Sequence, residues 1–243
     1  MHILITRPEP DAGVWRREFE ARGVVASVDP MLRIELLAPF ALELDGVQAL
    51  IATSRNGLRG LAGSAQLTRA VALPLYVVGP GTSELAGEMG FGAIYTGPAA
   101  GRELAAVIAT QAKPNAGALL HLTGDKLAFD LGAELGKQGF EVRRLIVYRS
   151  RPADMLQPQT VAALRSGAID TIMLMSPLSA KTFLRLGGDA DLLKQYQQLV
   201  YVCLSANIAR TLSVLGSPHI HVADAPNSNA LFTLIERLAA APS

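Results

Sequence analysis

Ala118-Leu119-Leu120-His121-Leu122-Thr123-Gly124-Asp125 is the stretch on which the fold turns. Residues 118–122 form an almost unbroken apolar run. They lack the polar residue at every second position that a strand with one wet face needs, so they read as a parallel strand covered on both sides. The run ends in Thr123-Gly124-Asp125, small residues that suit the turn into a helix. A helical pattern over Phe129–Gln138 follows and closes on Gly139. The N-terminus repeats this order: a strand at His2–Thr6, the turn Thr6-Arg7-Pro8, a helix at Asp11–Arg22, then Gly23.

Further strands are expected at Val24–Val28, Ala49–Thr53, Leu75–Val78, Ala93–Tyr95, Val142–Val147, Thr171–Met175, Val200–Leu204 and His219–Val222. Helical patterns lie between them, among others at Ser83–Met89, Arg102–Gln111, Ala206–Leu215 and Asn229–Ala240. The last opens with Asn227-Ser228-Asn229 behind Pro226, a good helix start. Strands alternating with helices predict an α/β fold with doubly wound parallel sheets.

The repeat extends past the first strand and helix. Thr53-Ser54-Arg55-Asn56 is echoed by Met175-Ser176-Pro177-Leu178. Val77-Val78-Gly79 followed by Gly90 is echoed by Cys203-Leu204-Ser205 followed by Gly216, at equal spacing. Both copies end in a strand, a proline-containing loop (Pro98; Pro226) and an amphipathic helix. The blocks thus run A, B, A′, B′ and predict two similar domains. The linear order leaves open whether A pairs with B or with B′. In open α/β sheets ligands bind beyond the carboxyl ends of the strands, so two such edges facing each other across a hinge would make a cleft.

The 243 residues suit one large α/β domain or two small ones. Half of them are hydrophobic and 18% are charged, enough apolar material for packed cores. A formal net charge of +1 argues against a nucleic-acid surface. Arg143-Arg144 and the pair Arg149 and Arg151 read as solvated strand ends. The single cysteine, Cys203, sits in the apolar run Leu199–Leu204 and reads as an inert core thiol in a reducing compartment. The apolar N-terminal stretch is too short for a signal peptide, and no segment nears the roughly 20 apolar residues a membrane helix needs. A soluble, cytoplasmic protein is expected, with no membrane partner. With no heptad seam, it reads as a monomer.

Polar residues recur just after the strands: Thr6-Arg7, Thr53-Ser54-Arg55-Asn56, Gly79-Pro80-Gly81-Thr82-Ser83, Thr123-Gly124-Asp125-Lys126, Ser176-Pro177-Leu178-Ser179 and Ser205-Ala206-Asn207. Taken singly, such residues cap helices in any fold. Taken together on one rim, they bring helix N-termini and hydroxyls to a place that suits carboxylates or phosphates. Gly79-Pro80-Gly81 lacks the third glycine of a dinucleotide fingerprint, and its proline removes a donor. Neither a Walker A sequence nor a Gly-x-Ser-x-Gly elbow occurs. His219 and His221 share a strand face, but no cysteine lies near them and Asp224 is the only clear carboxylate partner. Tyr148 ends the run Leu145-Ile146-Val147. It reads either as an aromatic packed at a hinge or as a phenol presented to a cleft, donating a hydrogen bond or a proton.

In their order, Thr6-Arg7-Pro8, Thr53-Ser54, Val78-Gly79 with Thr82, Thr123-Gly124, Val147-Tyr148-Arg149, Ser176-Pro177-Leu178-Ser179 and Ala223-Asp224-x-Pro226 before Leu231 resemble uroporphyrinogen-III synthases along the whole chain. The resemblance implies two α/β domains, residues 1–35 with 150–243 and residues 36–149. It joins them by a two-stranded linker near Leu32–Leu37 and Leu145–Ser150, with the active site in the interdomain cleft. It implies a cyclising hydro-lyase of tetrapyrrole (haem and sirohaem) biosynthesis that needs no metal or organic cofactor. The substrate implied is hydroxymethylbilane, handed over by hydroxymethylbilane synthase. The product is uroporphyrinogen III, formed with loss of water and inversion of the last pyrrole ring. Tyr148 would be catalytic. Arg7, Ser54, Arg55, Gly79, Gly81, Thr82, Thr123, Gly124, Asp125, Ser176, Ser179, Ser205 and Asn207 would bind substrate. One departure is visible: Ile208 stands where the second copy's counterpart of Thr82 often keeps a threonine, so Asn207 is the expected substitute. Two rival readings are a sensor of tetrapyrroles or small anions on the same fold, and a nucleotide-dependent enzyme on a Rossmann-type scaffold.

Overall fold

The computed structural model describes residues 1–37, 41–98, 101–127, 129–216 and 219–240. Its strands are β1 (His2–Ile5), β2 (Val25–Val28), β3 (Leu32–Leu36), β4 (Val47–Ala52), β5 (Leu75–Val78), β6 (Ile94–Gly97), β7 (Ala118–Gly124), β8 (Val142–Pro152), β9 (Thr171–Leu174), β10 (Val200–Cys203) and β11 (Ile220–Val222). The helices begin with α1 (Asp11–Ala21), α2 (Arg55–Ala62), α3 (Leu67–Ala70), α4 (Pro80–Glu88), α5 (Gly101–Gln111) and α6 (Leu131–Gly136). They continue with α7 (Pro158–Arg165), α8 (Pro177–Asp189), α9 (Leu193–Tyr196), α10 (Ala206–Thr211) and α11 (Ser228–Ala240). The chain divides into two compact units, one of Met1–Arg33 with Arg151–Ser243 and one of Ile34–Ser150.

In the first unit the sheet order is β11-β10-β9-β1-β2, with parallel ladders throughout. Alternate residues of each strand feed opposite faces, as a period of two requires. Leu4, Ile172, Leu174, Tyr201 and Cys203 meet α7 to α10 on one face. Ile3, Ile5, Met173 and Val202 meet α1 and α11 on the other. There Trp15 of α1 stacks on Phe232 of α11 with ring centroids 4.2 Å apart. Burial pushes the Cys203 thiol up to about 12, so it stays protonated in the core.

The second unit has the order β3-β8-β7-β4-β5-β6, and its ladders from β8 to β6 are parallel. Leu50, Ala52, Leu120, Leu122 and Val147 pack against Leu58 and Leu61 of α2 and Ala86 of α4. Ala49, Ile51, Tyr76 and Leu119 pack against α5 and α6 on the opposite face.

Each strand expected from the sequence is present, with ends shifted by a residue or two, and each sheet has the apolar residues on both faces that the unbroken runs demanded. Other boundaries differ more. β8 continues to Pro152 as one long strand, α4 starts at Pro80 rather than Ser83, and α10 ends at Thr211, with a 3-10 turn over Leu212–Leu215. The expected helix at 129–138 is confined to Leu131–Gly136 behind an Asp130 cap, whose carboxylate accepts the Ala133 N–H at 2.9 Å. The ladders decide the pairing the repeat left open. β1 lies beside β9 and β7 beside β4, so block A sits with B′ and block B with A′. The repeat-matched glycines Gly23 and Gly139, like Gly90 and Gly216, all have positive φ, which shows that the two copies turn alike.

Gly187 of α8 gives a direct test of core packing in the first unit. A β-carbon there would run into Cε2 of Tyr196, a fully buried ring stacked on Phe183 at 4.1 Å. The Tyr196 hydroxyl donates to the Phe183 carbonyl at 3.1 Å, which fixes the ring further. Alanine normally stabilises a helix interior relative to glycine. Here overpacking should win, and Gly187→Ala should lose about 1–3 kcal/mol in urea unfolding. A raised unfolding midpoint would contradict this packing.

Candidate functional site

Both sheets have a point where the chain reverses its direction of winding, and the helices on either side leave for opposite faces or opposite edges. In the second unit the chain runs outward from β4 through β5 to β6, then returns to β7 beside β4. In the first it runs from β1 to β2 and returns at β9 beside β1. Crevices beyond the carboxyl ends of strands at such points are where open α/β sheets hold ligands. Of the residues singled out in the sequence, those after β1, β9, β4 and β7 fall at these two places, and those after β5 and β10 follow the next strand along.

In the second unit the adjoining strand ends carry Thr123-Gly124-Asp125 (β7), Thr53-Ser54-Arg55 (β4) and Gly79-Pro80-Gly81-Thr82 (β5), and Tyr148, within β8, stands level with the end of β7 through its pairing with Gly124. Ser54 is the N-cap of α2, its Oγ accepting the Gly57 N–H at 3.4 Å, as an extended backbone and a short hydroxyl side chain favour. The same Oγ lies 3.1 Å from the Tyr148 hydroxyl. Arg55 follows in the first turn of α2, and its guanidinium carbon lies 3.4 Å from where a Gly81 β-carbon would be. Gly79 (φ +75°) is the N-cap of α4, with Pro80 at the first helical position, where a missing N–H costs nothing. Thr82 is buried in that first turn. Thr123 is buried too, and its hydroxyl donates to the Gly124 carbonyl at 3.3 Å. Asp125 accepts the Ser150 N–H at 3.2 Å, and Arg144 donates to the carbonyls of Gly124 and Asp125 at 2.7 and 3.0 Å. Asp125 and its carbonyl neighbours are therefore committed to holding the β7–β8 loop.

In the first unit, Ser176 caps α8. Its Oγ accepts the Ser179 N–H at 3.0 Å and lies 2.8 Å from the Ser179 hydroxyl. Arg7 is engaged within the unit: it pairs with Asp11 at 2.9 Å, donates to the Met175 sulfur at 3.1 Å and lies over the Trp15 ring at 5.7 Å. The buried Thr6 hydroxyl donates to the Met173 carbonyl at 2.6 Å and fastens β1 to β9. Ser205 is the N-cap residue of α10 without a side-chain cap bond, and the exposed Asn207 accepts from Arg210 at 3.1 Å. Ile208 is fully inside the core, which accounts for an apolar residue at that position. Asp29, which the sequence did not single out, is buried at the end of β2 and accepts the N–H of Gln157, the N-cap of α7, at 2.9 Å. Burial raises its pKa above the ordinary carboxylate value, and the bonds from Gln157 and Thr160 work against that.

Sequence reasoning also passed over Gly57 and Gly60. A β-carbon on Gly57 would lie 2.8 Å from the Leu122 carbonyl oxygen, and one on Gly60 2.7 Å from Val147 Cβ. Two glycines in an eight-residue helix look like a weak helix in isolation; their three-residue spacing, which puts them on one face, was the available signal. Among the described residues no cluster of histidine, cysteine, aspartate or glutamate could hold a metal, and His219 lies outside β11.

Two parallel-sheet units with hydroxyls and helix N-termini at their strand ends define an α/β protein of the doubly wound class. The family model described as uroporphyrinogen-III synthase HemD matches residues 13–233, and the chain belongs to that family. Among solved structures, uroporphyrinogen-III synthetase from Helicobacter pylori is similar at 17% identity and TM-score 0.64, with 98% of each chain covered. A mutant uroporphyrinogen III synthase from the extremely thermophilic bacterium Thermus thermophilus is similar at 15% identity and TM-score 0.55, again over 98% of each chain. At such identities the likeness is one of fold. No curated protein sequence matches significantly. No helix among the described residues is long and apolar enough to cross a membrane.

Beneath the rim of the second unit, His121 is buried on β7, 3.4 Å from the Thr53 hydroxyl. Burial, aided by Arg144 and opposed by Asp130, lowers its pKa from 6.5 to about 4. Between these values the unfolded chain takes up a proton that the folded one refuses, so stability falls as pH drops through that window, by up to about 3 kcal/mol. Urea unfolding at pH 7.5 and 4.5 should therefore differ less for His121→Gln than for the wild type. An equal difference would mean that His121 is not the titrating group.

Proposed function

We propose that the chain is a uroporphyrinogen-III synthase, a hydro-lyase that closes hydroxymethylbilane to uroporphyrinogen III with loss of water and inversion of the last pyrrole ring. Family membership over residues 13–233 supports this reading, and the observation that carries its chemistry is the Tyr148 phenol 3.1 Å from Ser54 at the end of β4. The open-chain substrate tends to close without inversion, to the type I isomer. The protein's task is then conformational control. Holding reacting carbons in the productive geometry can be worth ~7–11 kcal/mol.

In this reading the acetate and propionate arms take the first-turn N–H groups of α2 and α8, together with Arg55, Thr82 and Ser176. These are local donors, which explains how a chain of net charge +1 can hold a polyanion. The chain passes from one unit to the other within β3 and β8, and closure of the protein about the substrate excludes water. Tyr148 gives a proton to the departing hydroxyl. The reaction is redox-neutral and calls for no cofactor. The enzyme acts as a cytoplasmic monomer that receives its substrate from hydroxymethylbilane synthase.

Supplying hydroxymethylbilane and separating the uroporphyrinogen isomers tests the assignment: type III should dominate with the protein and type I without it. An isomer ratio unmoved by the protein would end it. General acid catalysis contributes ~10²–10⁴-fold, so Tyr148→Phe should lower kcat by about 10² while still yielding type III. Undiminished turnover would remove Tyr148 from the mechanism.

A further inference from the structure

Tyr148 reaches Ser54 only because the β7–β8 ladder is irregular. Thr123 pairs with Ile146 but Gly124 pairs with Tyr148, so β8 holds one extra residue, Val147, at this point. Successive strand side chains point to opposite faces. Leu145 and Val147 both pack on the α2 side of the sheet, so a regular strand would send Tyr148 to the α5–α6 side. The bulge re-aims it, and Tyr148 packs on the α2 side as well. Its backbone is held by the Asp125 N–H, which donates to the Tyr148 carbonyl at 3.2 Å.

The phenol must then cross the end of β7, which lies between β8 and β4. The residue it crosses is Gly124. A β-carbon there would lie 2.8 Å from Cε2 and Cζ of Tyr148 and 3.1 Å from its oxygen. The other side of the contact is fixed as closely, because Gly57 and Gly60 let α2 lie directly on Leu122 and Val147 and so set the position of its N-cap, Ser54.

We propose that Gly124 and Ser54 are positioning residues for Tyr148: Gly124 leaves the gap through which the phenol crosses β7, and Ser54 fixes its oxygen. This rests on the reading that Tyr148 protonates the leaving hydroxyl. In that step the phenolic O–H bond breaks, its proton goes to the departing oxygen, and the C–O electron pair leaves with water. The phenolate that remains has no proton to donate, so Ser54 becomes the donor to it, while Ser54 Oγ continues to accept the Gly57 N–H. The proton released when the attacking pyrrole regains its aromaticity restores the phenol. Gly124 thus serves the tyrosine and not an arm of the substrate.

A double-mutant cycle on kcat tests this. Gly124→Ala should lower kcat by about 10- to 100-fold with KM within about threefold, and adding it to Tyr148→Phe should cost less than about twofold more. Penalties that multiply, or a loss expressed in KM, overturn the proposal. Ser54→Ala should lower kcat in the same way and Ser54→Thr, which keeps hydroxyl and cap, should restore most of it; a threonine variant no better than alanine counts against it. A crystal structure of Gly124→Ala reads the geometry without turnover: an unmoved ring, still within hydrogen-bond distance of Ser54, overturns the proposal even if the enzyme is a synthase. A wild-type protein that yields no type III isomer, by contrast, sinks the functional reading alone, and the displaced ring in that crystal structure would still stand.

Discussion

A parallel ladder obliges the chain to travel back along the sheet before each new strand, and it does so through helices that cover both faces. In each unit the winding reverses once, between β1 and β9 or between β4 and β7. Neighbouring connections diverge there and leave the strand ends uncovered by backbone. The buried strands are mostly apolar, with exceptions such as His121 and Thr171, so most hydroxyls and charged groups collect at those ends. The location of the candidate site thus follows from how a two-faced sheet must be connected.

The two rims share this origin but use it differently. In the first unit the arginine after β1 is drawn into Asp11, Met175 and Trp15, and Thr6 is spent on joining β1 to β9. In the second, Ser54 is both helix cap and partner to a phenol. One oxygen thereby links the N-terminus of α2 to the middle of β8. Such a contact demands close approach on every side, and the chain provides it by leaving side chains out at Gly57, Gly60 and Gly124.

Much of this was legible in the sequence. Continuous apolar runs marked strands buried on both faces, and the spacing from strand to glycine exposed the internal repeat. Ser54, Ser176 and Asn227 stood where hydroxyl or amide side chains cap helices, and each accepts a first-turn N–H. Less legible were features without a one-dimensional signal. α2 is short and glycine-rich, so local propensity hides a helix that tertiary packing stabilises. Asp29 looks like an ordinary polar residue after a strand until α7 is laid on it.

The sequence by itself determined the class of fold, the repeat and the set of strand-end residues, because hydrophobic period and turn chemistry act over a few residues. Only the tertiary structure decided that block A joins B′, since linear order holds no record of which strands lie side by side. It alone decided the direction of Tyr148, because that depends on one extra residue in a ladder between two distant strands. A shift of one residue reverses the face of a side chain, and nothing in Val147-Tyr148 itself announces the shift.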